Sequence, residues 1–238
     1  MKKLSTAMGI SLAMIAGPAV AAFEGAAELG ATIVSGNTET TSIKGKVDSK
    51  HTIGEWSNQY LAETLYAEDG DTRSAERYYL LGQTNYPSTG RHYFFAMASG
   101  EIDKFSGYDY VATAALGYGH RFIEQETMTL VAEAGPGYSY KAVDQDDNPG
   151  GQNENDVIIR AKAEFWWRFS ENAEFKQLLT TEYAFDGATI SRSETSVSAN
   201  LVGNLAMKVG YNIRHNSDPQ VGKESTDTEL LATLLYKF

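Results

Sequence analysis

His215-Asn216-Ser217 sets an imidazole and a hydroxyl two residues apart. On an extended strand that spacing puts both side chains on one face. A base within reach of a hydroxyl, steered by a third group, would make a nucleophile for ester hydrolysis. Two apart is also the commonest same-face spacing in any strand, and the flanking Arg214-His-Asn-Ser-Asp-Pro219 reads equally as a polar turn. Asp144, Asp146 and Asn148 fit the first three ligand positions of a calcium loop, but Pro149 stands where Gly is needed and Asn155 where a Glu must close the site. That leaves a solvated acidic loop with weak affinity for divalent cations and no built metal site. No phosphate loop, zinc-spaced His pair or nucleotide fingerprint is present, and there is no cysteine for thiolate chemistry. We therefore expect no cofactor and no enzyme, with His215 and Ser217 as the hydrolase alternative.

The larger set of chemistry-bearing residues is charged and spaced by two. Arg160, Lys162, Glu164 and Arg168 fall on one side of a run whose other side is Val157, Ile159, Ala161, Ala163, Phe165, Trp167 and Phe169. Lys44 and Lys46 oppose Ile43, Gly45 and Val47; Lys208 and Arg214 oppose Met207, Val209, Tyr211 and Ile213. Glu133 and Glu182 occupy the corresponding phase of their own runs. This is period-two patterning, and it makes strands. Facing inward, these charges would collect both signs in a narrow lumen, where the first expectation is mutual pairing and the second a polar conduit.

Strands of this kind recur along the chain. About twelve are expected, over 25–35, 41–51, 56–67, 75–86, 92–103, 109–121, 128–141, 156–169, 174–185, 191–201, 205–215 and 228–238, with no helical period and no linker. Alternate connections are short, as at Ile53-Gly54, Glu171-Asn172 and Val202-Gly203-Asn204. Most of the others are longer, as at Glu68 to Ser74, Val143 to Asn155, Asp186 to Ile190 and Asn216 to Asp227. Aromatics gather at both sets of strand ends. Trp56, Tyr86, Phe122, Trp167 and Phe238 lie beside the short turns, and Tyr78, Tyr108, Tyr110, Tyr138 and Tyr183 beside the long ones. The middles of the apolar faces are small or aliphatic, as in Ala112, Ala114, Leu116, Leu130, Ala132 and Ala134. Glu133-Ala-Gly-Pro-Gly137 breaks one strand; Pro136 cannot donate to a ladder, so a bulge or kink is expected there.

The two ends of the chain set its location. Met1-Lys2-Lys3, an apolar stretch from Ala7 to Val20 and a small-x-small site at Ala19-Val20-Ala21 read as a signal peptide over 1–21. The mature domain is then 22–238. Losing Lys2 and Lys3 takes the formal net charge from −11 to −13, which argues against nucleic acid as a partner. No later apolar run approaches the roughly 20 residues of a membrane helix, so a membrane crossing must be made by a closed barrel. Leu230, Ala232, Leu234, Tyr236 and Phe238 alternate to the last residue, as in the closing strand of an outer-membrane barrel, where they would face lipid and serve as the assembly signal. The reading is all-β: a single antiparallel transmembrane barrel in the bacterial outer membrane, both termini periplasmic. Its expected partners are lipid and lipopolysaccharide, the barrel-assembly machinery, and divalent cations held weakly at the acidic outer loops.

Particular segments add a resemblance. Glu28-Leu-Gly-Ala-Thr-Ile-Val-Ser-Gly-Asn-Thr-Glu-Thr-Thr-Ser42, Ala75-Glu-Arg-Tyr-Tyr79, Asp103-Lys-Phe-Ser-Gly-Tyr-Asp-Tyr110 and Glu133-Ala-Gly-Pro-Gly-Tyr138 are similar to the YdiY-like family. Its members are labelled salt-induced outer-membrane proteins. The resemblance implies a small outer-membrane barrel, porin-like in form and linked to salt stress. It brings no established activity and no catalytic residues.

Overall fold

The computed structural model describes residues 23–34, 40–70, 72–146, 149–220 and 222–238. The signal-peptide segment, residues 35–39 and Asn148 lie outside the described residues. Twelve strands run in chain order: β1 (Phe23–Val34), β2 (Thr40–Ile53), β3 (Trp56–Asp69), β4 (Thr72–Pro87), β5 (His92–Asp103), β6 (Tyr108–Glu124), β7 (Met128–Val143), β8 (Glu154–Arg168), β9 (Ala173–Ala184), β10 (Ile190–Val202), β11 (Leu205–Asn216) and β12 (Thr226–Lys237). Each pairs antiparallel with its sequence neighbour, and β1 pairs with β12 to close the barrel. The closing ladder covers Ala26–Gly30 against Thr233–Lys237, so over that stretch the backbone polar groups of the two end strands are satisfied within the wall.

Short connections use the tightest turns, and glycine permits them. Gly54 and Gly203 sit at φ of 60° and 55° in the β2–β3 and β10–β11 turns, a region where a Cβ would be strained. One expected long connection contracts. β3 and β4 extend past Glu68 and Ser74 through a register shift at Ala67/Glu68, leaving a hairpin turn at Gly70. The extension is held by polar contacts, Tyr66 to Glu68 and Arg73 to Glu76, which alternation of apolar residues does not reveal. The asymmetry of connection lengths therefore rests on the β7–β8, β9–β10 and β11–β12 links.

The interruption at Pro136 carries no bulge. No residue is inserted: the β6–β7 register is the same at Ala115↔Gly137 and at Tyr118↔Ala134. The shifts fall instead at Tyr108/Tyr110 and Arg121/Ile123. At the break the two backbones close on each other. A Cβ on Gly135 would lie 2.1 Å from the Leu116 carbonyl oxygen, and one on Gly117 would lie 2.3 Å from that of Ala134. Missing side chains, rather than an extra residue, accommodate the proline. Gly135→Val is expected to lower barrel stability by about 1–3 kcal/mol through overpacking; urea titration in detergent micelles measures it.

The outer wall is apolar and its ends are aromatic. Leu29, Leu80, Leu116, Val157, Leu230 and Leu234 are exposed along it. At the short-turn end Trp56 packs on Tyr86 and Trp167 on Phe169; at the other end Tyr110 packs on Tyr140 and Tyr183 on Phe185. Tyr108 is a correction to the aromatic end. The register shift beside it turns the ring inward, where it is buried against Val111 and Val143. The interior is also less uniformly charged than expected. Tyr93, Phe95, Met97 and Ala115 form a buried apolar cluster, against which Leu81 and Val131 pack. The charges are thus set beside apolar fill.

Candidate functional site

The strand phase that turns Ile43, Gly45 and Val47 outward turns Lys44 and Lys46 inward, and the same holds around the ring. Four groups of ion pairs result. In the first, Glu101 on β5 meets Arg214 on β11 and Arg192 on β10, the latter at 3.2 Å. Arg214 also binds Asp103 at 2.9 Å, and Arg192 lies 3.8 Å from Glu182 on β9. In a twelve-strand ring β5 stands opposite β11, so these contacts cross the lumen. In the second, Lys44 lies 3.2 Å from both Glu63 and Glu229, and Arg77 on β4 reaches Glu229 on β12 at 2.5 Å. Lys46 joins this group to Glu194 on β10 at 2.9 Å.

The third group centres on Glu133, whose side chain is 1% exposed. It lies 3.1 Å from Lys162 and 3.6 Å from Arg160, and accepts hydrogen bonds from the Gln83 amide (2.9 Å) and the Tyr93 hydroxyl (2.7 Å). Glu164 extends it to Lys176 at 3.3 Å. The fourth lies at the long-loop end, where Lys141 is held by Asp156 at 2.8 Å and Glu154 at 3.0 Å. Separately, Lys208 pairs with Glu28 across the β11–β1 side. Between the first three groups lies a cavity of about 150 Å³, lined among others by Lys46, Glu63, Glu101, Arg160, Arg192 and Glu194. That holds on the order of ten waters.

The long-loop mouth is itself spanned. Gln220, in the β11–β12 link, donates to the Tyr108 hydroxyl and to Glu154, both at 3.0 Å. Those partners start β6 and β8, so the link reaches across the mouth. It is also pinned to the β9–β10 link, where Ser217 and Thr189 exchange hydrogen bonds.

Of the residues expected in the lumen, Lys44, Lys46, Glu133, Arg160, Lys162, Glu164, Glu182, Lys208 and Arg214 take part in these pairs. Arg168 does not. It is exposed as the last residue of β8, at the short-turn end of the wall, with its guanidinium 5.1 Å from the Trp166 ring. Arg77, Lys141, Asp156 and Lys176 were not anticipated. β4 carries Tyr78-Tyr79-Leu80-Leu81 on both faces, so no alternation flags Arg77. Its two-residue offset from Tyr79 was the signal available. Leu230, Ala232, Leu234, Tyr236 and Phe238 all face outward and are exposed. Phe238 exchanges both backbone hydrogen bonds with Gly25, each 2.9 Å.

His215 and Ser217 are engaged elsewhere. His215 is exposed with Nδ1 2.9 Å from the Thr226 hydroxyl, and Ser217 Oγ accepts from the Thr189 amide. Neither contact activates a nucleophile. We expect Ser217→Ala to leave lipid hydrolysis at the background of the purified protein; a Ser217-dependent release of fatty acid would refute this. Among the described residues, no group of three or more His, Asp or Glu is arranged to hold a metal ion.

A closed antiparallel barrel with an apolar wall, aromatic ends and a charged lumen defines a class: the transmembrane β-barrel of outer-membrane type. The chain belongs to the family described as "Protein of unknown function, DUF481", whose profile matches residues 27–238. It is 28% identical over 220 residues to the "Uncharacterized protein YdiY" of Escherichia coli (strain K12), covering 90% of this chain and 82% of that one. Among solved structures it is similar to the translocator domain of the autotransporter NalP from Neisseria meningitidis (12% identity, 91% and 88% of the two chains, TM-score 0.48). It is also similar to the KdgM porin (8% identity, 90% and 99%, TM-score 0.47).

Proposed function

We propose that this is a non-enzymatic integral protein of the bacterial outer membrane, whose lumen is held shut by its own ion pairs. The observation that carries the reading is the contact of Glu101 with Arg192 and Arg214 from the far side of the ring. An open conduit needs a continuous water path. Here carboxylates and guanidiniums meet in the middle, and the β11–β12 link covers one mouth. The residual cavity is a chamber within a stiffened wall.

The surroundings follow from the same surfaces. The apolar wall and its aromatic ends suit lipid and lipopolysaccharide. The outward residues of β12 suit recognition by the barrel-assembly machinery. With twelve strands both termini fall on the short-turn side, which we assign to the periplasm. The acidic residues of the other links, Asp144, Asp146, Asp186 and Asp218 among them, suit weak binding of divalent cations.

Reconstitution into planar bilayers tests closure: wild-type protein is expected to give no steady conductance steps, and sustained openings would overturn it. Calcium is expected to raise the thermal midpoint modestly and to slow proteolysis of the long links. If it changes neither, the cation assignment falls.

A further inference from the structure

One stretch of the outer wall breaks the apolar pattern. On the outward faces of β9 and β10, Gln177, Thr181, Ser191, Ser193 and Thr195 stand among Leu179 and Val197. They form a ladder. Gln177 donates to Ser193 Oγ at 3.0 Å and accepts from Thr195 Oγ1 at 2.6 Å. Thr181 and Ser191 share a hydrogen bond of 3.0 Å. The register pairs Thr195 with Gln177 and Ser191 with Thr181, so the polar groups lie in rows across two strands. Elsewhere the middle of the wall is small or aliphatic, as at Ala98, Leu116, Ala132 and Leu234. Thr64 on β3 stands between Gly45 and Tyr78.

Against hydrocarbon this ladder is costly. A hydroxyl or amide that loses water needs a partner for each donor and acceptor. The bonds within the ladder supply only some. Ser193 accepts from Gln177 and retains its own proton, and each hydroxyl keeps a second lone pair. A wall that faced only acyl chains would gain by carrying Val or Leu at these positions.

We propose that this face is the contact between two copies of the chain, related by a two-fold axis along the membrane normal. Three observations select a second copy. First, Ser, Thr and Gln each donate and accept, so the patch is complementary to itself, as an isologous interface requires. Second, a two-fold axis along the normal conserves depth. Each row then meets its own counterpart, the mixed Ser193–Leu179 row included. Third, the patch holds no charge, so bringing two copies together costs no repulsion. On the flanks Ala161 and Ala163 pair with Thr181 and Leu179, while Phe165 pairs with Gln177 and Tyr211 with Thr195, so close approach is open beside Thr181 and Leu179 and aromatic rings border the Gln177–Thr195 row.

The inference rests on the membrane assignment above, and the test separates the two. The chain has no native cysteine, so Ser193→Cys carries a single thiol. The full protein is reconstituted in phospholipid vesicles at high lipid-to-protein ratio and treated with a short bismaleimide. Ser193→Cys is expected to give a band of twice the monomer mass. Ala232→Cys, on the β12 wall, is expected to give only collisional background. Thr195→Cys repeats the measurement if Ser193→Cys fails to show the heat-dependent gel shift of a folded barrel. Gln177→Leu with Thr195→Val is expected to abolish the crosslink and leave a monomer by native mass measurement.

Equal crosslinking from both walls, or a folded, membrane-inserted monomer throughout, overturns the dimer and leaves the membrane reading intact. Crosslinking in cells to a protein of another size also overturns it. Failure of the protein to insert into vesicles overturns both readings.

Discussion

Glu133→Ala is expected to destabilise the barrel by about 3–5 kcal/mol, the cost of leaving buried charge without its counter-ion. The carboxylate is almost wholly enclosed, and four groups depend on it: Lys162, Arg160, the Gln83 amide and the Tyr93 hydroxyl. Removing it strands Arg160, whose side chain is 4% exposed, and leaves Lys162, 10% exposed, with Glu164 at 4.0 Å. Equilibrium urea unfolding in lipid micelles, followed by the fluorescence of the three tryptophans, reads the loss. A companion variant makes the argument sharper. Glu133→Leu with Arg160→Met and Lys162→Met replaces the three charges by apolar volume, leaves Gln83 its bond to Asn85 and costs Tyr93 its acceptor, and is expected to recover a large part of the stability. Breaking one partner of a buried pair is costly, whereas replacing the set is often neutral. If the single variant unfolds at the wild-type midpoint, the pairing around Glu133 carries no stability.

The second large effect is on permeation. Glu101→Ala with Asp103→Ala removes both carboxylates that β5 offers to Arg214, and the partner of Arg192 across the lumen. Arg192 then falls back on Glu182, beside it on β9. The strut between opposite walls is gone, and Arg214 loses both carboxylates that paired it. Small, flickering conductance steps are expected in planar bilayers where wild-type protein is silent. Steps should remain small because the β11–β12 link still lies across the mouth. A double variant as silent as wild type would mean that the ion pairs do not close the lumen.

Much of this architecture is legible in the chain. The strands were visible because a lipid-facing wall and a charged lumen impose strict alternation, clearest in β8 and β11. Alternation reports only which face a residue takes. It could locate Glu101 and Arg214 on inner faces, but their meeting depends on the ring placing β5 opposite β11. Where both faces are apolar, as along Tyr78 to Leu81, the phase of Arg77 was hidden. Tyr108 was misplaced because a one-residue shift in register exchanges inside for outside. The polar ladder on β9 and β10 escaped notice for a related reason. Ser, Thr and Gln fit either face, so their orientation emerges only from the neighbours Glu182, Arg192 and Glu194, which turn inward.

The join between first and last strands carries a consequence for how the barrel comes into being. β1 and β12 are matched from Ala26↔Lys237 to Gly30↔Thr233, with Gly25 and Phe238 bonded below. Among the described residues the β1–β2 ladder runs much further, from Phe23↔His51 to Val34↔Thr40. Every other junction links strands adjacent in sequence, so each hairpin can form locally and early. This one must bring together segments separated by almost the whole polypeptide, and loop-closure entropy has to be met before its few backbone bonds repay it. It is therefore expected to be the slowest junction to form. Until it zips, the chain exposes two unpaired edges, which makes the nascent sheet prone to pairing with the wrong neighbour.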